Sequence, residues 1–88
     1  MNKNALQFLK AEEIKYKKHY MSIYAEYIET LGGKEYRAQE MRLRVLAYQR
    51  GQVVEAGNVL KLLFNYTDAD IEEIERQIER RYLYNADQ

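Results

Sequence analysis

The feature that most constrains the fold is a run without proline or glycine, from Asn4 to Leu31, which stops at Gly32 and Gly33. Its apolar residues recur every three or four positions, so it predicts one amphipathic helix, capped by Asn4 or Asn2. Such a helix has about 28 residues and is about 42 Å long. A compact domain of 88 residues is only about 30 Å across. The helix must therefore bend, or extend beyond its own core towards another chain.

Composition limits how such a chain can be stabilised. With 88 residues, one histidine and no cysteine, it has neither disulfides nor thiolate metal ligands to support a small core. Closely packed helices, or association of several chains, must supply the missing burial. No stretch has the apolar run of a signal peptide or the roughly 20 apolar residues of a membrane span. We therefore expect a cytoplasmic protein without a membrane partner.

Tyrosine is the dominant aromatic residue, with nine tyrosines, two phenylalanines and no tryptophan. Because tyrosine joins a large apolar ring to a polar hydroxyl, it suits half-wet surfaces and interfaces. Four tyrosines fall within an arc of about 80° on the first helix. They either pack on the later helices of the same chain or bind a partner, and the second alternative predicts a self-associating surface. The predicted protein interface comprises Leu6, Phe8, Leu9, Tyr16, Tyr20, Tyr24, Tyr27, Tyr36 and Leu43.

Glycines and capping residues divide the remainder into further predicted helices at about 34–50, 53–65 and 68–84. Gly51 is interpreted as the end of the second helix, because glycine readily ends helices. A β-hairpin within residues 53–63 is an alternative to the third. Thr67 and Asp70 resemble a capping box that opens the fourth, and residues 85–88 are predicted to fray. The predicted fold is an all-α, small four-helix domain with a long N-terminal helix, which we expect to assemble into a homo-oligomer.

Two known motifs can be compared with the region around Gly51. A helix-turn-helix would need apolar residues at Gln52 and Gly57, so that motif is a weak match. The stretch RLRVLAYQRGQVVEAGNVLKLL, residues 42–63, resembles the helix–Gly–Val–helix joint of small subunits of phage DNA-packaging terminases. The matching residues are Arg50, Gly51, Val53 or Val54, and Val59. No functional residue is carried over from that family, and a phage or mobile-element origin is a hypothesis from the type of protein alone.

No group of residues predicts catalysis. His19 and Ser22 are three positions apart on the polar side of the first helix, with no acid fixed nearby to orient them. Glu12 and Glu26 are each seven residues from His19, which is not a recognised metal-ligand spacing. Residues 32–34 lack the rest of a phosphate-binding loop. We therefore predict that the protein is not an enzyme and has no catalytic, cofactor-binding or metal site.

Basic residues support an alternative hypothesis. The net charge is zero, but residues 34–66 carry six Lys and Arg against three Glu, and residues 67–88 three Arg against seven Asp and Glu. These regions could attract each other within one fold, although lysines beside tyrosines also suit nucleic-acid binding. We predict a non-enzymatic protein–protein interaction module, such as an adaptor, inhibitor or assembly factor. The alternative is a nucleic-acid-binding regulator or DNA-packaging component, with contacts at Lys15, Lys17, Lys18, Arg37, Arg42, Arg44 and Arg50.

Overall fold

The computed structural model describes residues 2–32 and 39–84, with side chains as far as residue 82. The described elements are α1 (Lys3–Leu31), α2 (Gln39–Phe64), α3 (Asp68–Glu79) and a short π-helix (Arg80–Tyr84) that continues α3. These ranges contain no β-strand, so the all-α class is confirmed. They contain three α-helices, not the predicted four. Predictions for residues 33–38 and 85–88 lie outside the described residues.

The start of α1 is fixed by a side-chain cap. The Oδ1 atom of Asn2 accepts a hydrogen bond from the backbone N–H of Ala5 at 2.8 Å, which satisfies one of the free N–H groups of the first turn. Of the two predicted caps, Asn2 is therefore correct. Asn4 is wrong, because it lies within the first turn of the helix.

The end of α1 lies at the predicted glycine. The backbone N–H of Gly32 donates to the carbonyl of Ile28 at 2.8 Å. Gly32 has a φ of −75°, so it does not adopt the left-handed conformation that is common at helix ends. Gly33 is not among the described residues.

The second helix runs through Gly51, and the prediction that a helix ends there is wrong. An interior glycine costs only about 1 kcal/mol relative to alanine. Burial of Val53 and Leu60 in the core offsets that cost. The hairpin alternative and the helix–Gly–Val–helix joint are wrong for the same reason, since residues 53–63 continue the turns of α2.

The turn between α2 and α3 contains a stop signal that was not predicted and a start signal that was predicted. Asn65 has a φ of 58°, a left-handed conformation that asparagine tolerates and that cannot continue a helix. The backbone N–H of Asp70 then donates to Thr67 Oγ1 at 3.1 Å, and the N–H of Thr67 donates to Asp70 Oδ2 at 2.8 Å. The predicted capping box is confirmed, with aspartate in the place of glutamate.

The core lies where the C-terminal half of α1 packs against the C-terminal half of α2 and against one face of α3. The buried apolar side chains are Tyr20, Tyr24 and Ile28 of α1, Val53 and Leu60 of α2, and Ile71, Ile74 and Ile78 of α3. The three isoleucines of α3 recur at helical spacing and form its buried stripe. Thr30 is also buried, and its hydroxyl donates to the carbonyl of Glu26 at 3.0 Å.

The molecule is elongated because α1 is longer than the core that covers it. Residues 2–11 are all exposed, and the molecule measures 54 × 29 × 20 Å, with a radius of gyration of 15.5 Å. A compact chain of this length would have about 12 Å. Throughout the described ranges, no helix has the length and apolar character that a membrane span requires.

Candidate protein-binding surface

The tyrosines that were predicted to bind a partner divide into two groups. Tyr20 is only 1% exposed, and Tyr24 is also buried, so both rings lie inside the chain's own core. Tyr16 and Tyr27 are half-buried and pack against that core, and the ring of Tyr16 is 5.8 Å from that of Phe64. Within one chain, the middle of the tyrosine face is therefore taken up by intramolecular packing.

Two tyrosine–carboxylate hydrogen bonds join α1 to α3. The hydroxyl of Tyr20 donates to Glu75 Oε1 at 2.5 Å, and that of Tyr24 donates to Glu79 Oε1 at 2.6 Å. Tyr20 and Tyr24 are four positions apart, and so are Glu75 and Glu79. Each pair therefore lies on one side of its helix. The two bonds fix the position of α3 along α1, because a shift by one residue would break both.

The chemistry of these two phenols is that of neutral hydrogen-bond donors. Burial, reinforced by the hydrogen bond to Glu75, raises the pKa of Tyr20 well above its ordinary value. Burial and the hydrogen bond to Glu79 raise the pKa of Tyr24 in the same direction. A buried phenolate next to a carboxylate would be unfavourable. The arrangement therefore stabilises the fold and provides no nucleophile or base at neutral pH.

The remaining predicted interface residues lie apart from the tyrosine core. Leu6, Phe8 and Leu9 are exposed on the first turns of α1, and Leu43 is exposed on α2. Tyr36 is outside the described residues. A shallow recess at the end of the molecule contains Leu6 and Leu9 of α1 with the end of α2. Its lining consists of Leu6, Leu9, Lys10, Glu13, Phe64 and Asn65.

Uncovered apolar residues also follow α2, on the side away from α1, with charged residues between some of them. The members of this surface recur every three or four positions, fall within an arc of about 100° and are all exposed. They include Leu43, Val54 and Leu62, and one polar residue, Asn58. We call this surface the outer face of α2. It consists of Leu43, Ala47, Gly51, Val54, Asn58 and Leu62.

The glycine in the outer face has no role in packing among the described residues. A Cβ atom built at Gly51 would meet no atom of residues 2–32 or 39–84 within 4 Å. On the side of the same helix that faces α1, a Cβ atom at Gly57 would be 3.4 Å from Cε2 of Tyr20. The contrast shows that Gly57 lies against α1, whereas Gly51 leaves a shallow depression open to the outside. This depression forms part of a groove that also includes Arg50, Glu55 and Val59.

Charged residues border the outer face of α2. Arg44 and Glu55 are exposed along one flank, and Arg50 lies along the other. The ion pairs found among residues 2–32 and 39–84 are Lys61–Asp68 and Arg76–Glu73. Within these ranges, none of the three bordering charges belongs to an ion pair.

The predicted nucleic-acid contacts do not converge on one surface. Lys15, Lys17 and Lys18 are exposed around different sides of α1. The guanidinium of Arg42 donates to the carbonyl of Leu31 at 3.3 Å, which places that side chain at the end of α1. Arg44 and Arg50 border opposite sides of the outer face of α2, and Arg37 lies outside the described residues.

The polar residues considered for catalysis do not form a built site. His19 is exposed and lines a recess between α1 and α2 together with Gln52 and Glu55. The described part of the chain contains no group of three or more His, Cys, Asp or Glu residues that could hold a metal ion. Absence of enzymatic activity remains a prediction.

Sequence reasoning missed most of the outer face of α2. Leu43 was included in the predicted interface, but Ala47, Val54 and Leu62 were not. The signal was present, because the helical period continues from Leu43 to Leu62 if Gly51 is allowed inside a helix. Comparison with known proteins gives no independent assignment: no family model, curated protein or solved structure matches this chain.

Proposed function

We propose that this protein is a non-enzymatic helical protein–protein interaction module, and that the outer face of α2 is its contact surface. One observation carries the proposal: apolar side chains follow one side of α2 from Leu43 to Leu62 with nothing from the described chain covering them. Contiguous exposed apolar surface of this kind is typical of protein interaction sites. Single exposed apolar residues, such as Ile14 on α1, would not support the same inference.

Folding leaves a large apolar area of α2 in water. Complete burial of a leucine or valine side chain contributes about 1.5–3 kcal/mol. Val54 keeps 53% of its surface exposed and Leu62 keeps 81%, so at least about half of that free energy remains available at each position. A partner that covers several such side chains gains from all of them at once. The buried tyrosines of α1, by contrast, already have most of their apolar surface covered within the core.

A matched pair of lysine substitutions tests the proposal. Val54→Lys places a charge in the outer face of α2, whereas Ile14→Lys changes a residue of almost equal exposure, 54%, on α1. We expect Val54→Lys to reduce association with a partner, because burial of an unpaired lysine is unfavourable. Ile14→Lys should have little effect. Association is measured as mass by light scattering over a concentration series and as partner capture from an extract of the native cells.

If the wild-type protein remains a monomer and captures no partner, the interaction module is wrong. If Val54→Lys and Ile14→Lys change association equally, the outer face of α2 is not the contact surface. Circular dichroism and thermal unfolding of both variants show whether each is folded.

Nucleic-acid binding, the alternative drawn from residues 34–66, is tested in the same preparation. A labelled duplex is titrated with protein at low salt, where phosphate contacts are strongest. We expect no binding, since the described basic side chains point in several directions. Binding that weakens steeply with salt and is lost in an Arg44→Glu/Arg50→Glu variant would favour the alternative.

A further inference from the structure

We propose that the molecule that covers the outer face of α2 is α2 of a second copy of this chain, packed antiparallel about a two-fold axis. The inference rests on the proposed function and specifies its partner. In a two-fold interface, a residue i that contacts residue j of the second copy is matched by j contacting i. A self-complementary helix face must therefore carry opposite charges at symmetric positions.

Arg44 and Glu55 satisfy this requirement. They are eleven residues apart, which is about three helical turns, so their side chains lie on the same flank of α2 within about 20°. An antiparallel pair of helices keeps each flank next to the same flank of the second copy. A two-fold axis midway between these residues therefore places Arg44 beside Glu55 of the second copy, and Glu55 beside its Arg44. Both residues are exposed, and neither belongs to an ion pair of the described chain.

The same register also places small residues where the helices must approach most closely. The axis passes near residues 49 and 50, so Tyr48 lies opposite Gly51 of the second copy. The depression at Gly51, where a Cβ atom would meet nothing within 4 Å, receives the exposed ring of Tyr48. Ala47 lies beside it, and Leu43 approaches Val54 of the second copy. Glycine and alanine at such a crossing permit short distances between helix axes.

Parallel pairing of the same faces would bring different charges together. In a parallel pair related by a two-fold axis, each flank faces the opposite flank of the second copy, so Glu55 would lie near Arg50 of that copy and Arg44 would have no acidic partner. Arg50 lies close to the proposed axis on the opposite flank. In the antiparallel pair the two copies of Arg50 therefore lie close together, and this like-charge contact is weakened because both side chains extend into water at the margin of the interface.

The expected affinity is modest. An interface formed by one pair of helices belongs to the small class that buries less than about 1,200 Å² in total, which is typical of weak complexes. The dimer should therefore form and dissociate across the micromolar concentration range. Experiments at a single low concentration would miss it.

A charge-exchange experiment tests the register directly. Sedimentation equilibrium or light scattering gives the dimer dissociation constant of the wild type, Arg44→Glu, Glu55→Arg and the double variant. Each single variant should weaken the dimer by roughly tenfold, because it replaces two ion pairs by two like-charge contacts. The double variant should recover most of the loss, since it restores both pairs in reverse. Lys18→Glu and Glu29→Arg, which change exposed charges on α1, serve as controls and should have no effect.

The outcomes separate this inference from the proposed function. Recovery in the double variant supports antiparallel pairing. A wild-type protein that remains monomeric at high micromolar concentration overturns it, although loss of partner capture by Val54→Lys would still support an interaction module with a different partner. A dimer that is insensitive to both single charge changes overturns the register.

Discussion

The two faces of α2 differ in what their own chain does with them, and two glycines show the difference. Gly57 lies on the inner face, and a Cβ atom there would be 3.4 Å from the ring of Tyr20. Gly51 lies on the outer face, where a Cβ atom would meet no atom of the part of the chain that the structure describes. The inner glycine is explained by packing within the chain. The outer glycine lowers helix stability and makes no compensating contact within the described chain. We propose that contact with a second molecule explains it.

The largest expected effect distinguishes two leucines of α2. Leu60 is 0% exposed and Leu62 is 81% exposed. Leu60→Ala should lower the free energy of unfolding by about 2–5 kcal/mol, because it removes buried area and leaves a cavity. Leu62→Ala should change it by less than about 0.5 kcal/mol. Urea denaturation of the monomer at low protein concentration measures both values. Similar losses for the two variants would mean that the faces do not differ in burial.

The next prediction concerns the two glycines themselves. Gly57→Leu should lower the free energy of unfolding by about 1–3 kcal/mol, because the added atoms enter the space of Tyr20. Gly51→Ala should raise the stability of the monomer by about 0.5–1 kcal/mol, since alanine favours the helix and meets nothing. It should also weaken the proposed dimer, where the methyl group would meet Tyr48 of the second copy. A Gly51→Ala variant that dimerises more tightly would contradict the proposed crossing.

The third prediction uses pH to examine the inner face. The pKa of Tyr20 and that of Tyr24 are raised in the folded protein, whereas unfolded tyrosine ionises near pH 10. Their contribution to stability is therefore complete below about pH 10 and falls as the pH rises towards the folded-state pKa. Tyr20→Phe should make this alkaline loss of stability less steep. It should also lower stability at pH 7 by about 1–2 kcal/mol, because Glu75 loses its donor.

Tyr48 provides the matched control for this pH experiment. It is exposed on α2, so Tyr48→Phe should leave the alkaline loss of stability of the monomer unchanged. Urea midpoints between pH 7 and about pH 11 give the comparison. An equal effect of the two substitutions would show that the Tyr20–Glu75 hydrogen bond contributes nothing specific.

Local signals made α1 and α3 predictable from the sequence. The Thr67–Asp70 capping box and the spacing of the isoleucines of α3 act within a few residues of one another. The length of α1 followed from the absence of breakers. The prediction of two helices in place of α2 is wrong because it takes Gly51 as a stop signal. An interior glycine ends a helix only when the following residues bury no apolar surface by continuing it. Here burial of Val53 and Leu60 favours continuation.

The site was less predictable than the fold, for a physical reason. The sequence places Tyr20 and Tyr24 on an apolar face, but it does not show whether α3 or a second chain covers that face. Only the structure shows that Glu75 and Glu79 meet their hydroxyls. The outer face of α2 became visible once the period could be followed through Gly51. Its small and polar members, Ala47 and Asn58, had weakened the apolar pattern.

The most direct test of the central claim is a distance between two copies of α2. The chain has no cysteine, so Leu62→Cys gives a single attachment site for a spin label at an exposed position. In the antiparallel register, the two labelled positions lie on opposite sides of the axis and are about 37 Å apart along the helices. Pulsed dipolar spectroscopy at high micromolar concentration should give a distance near 40 Å. A short distance, as expected for parallel helices, or no dipolar interaction at all would contradict the account.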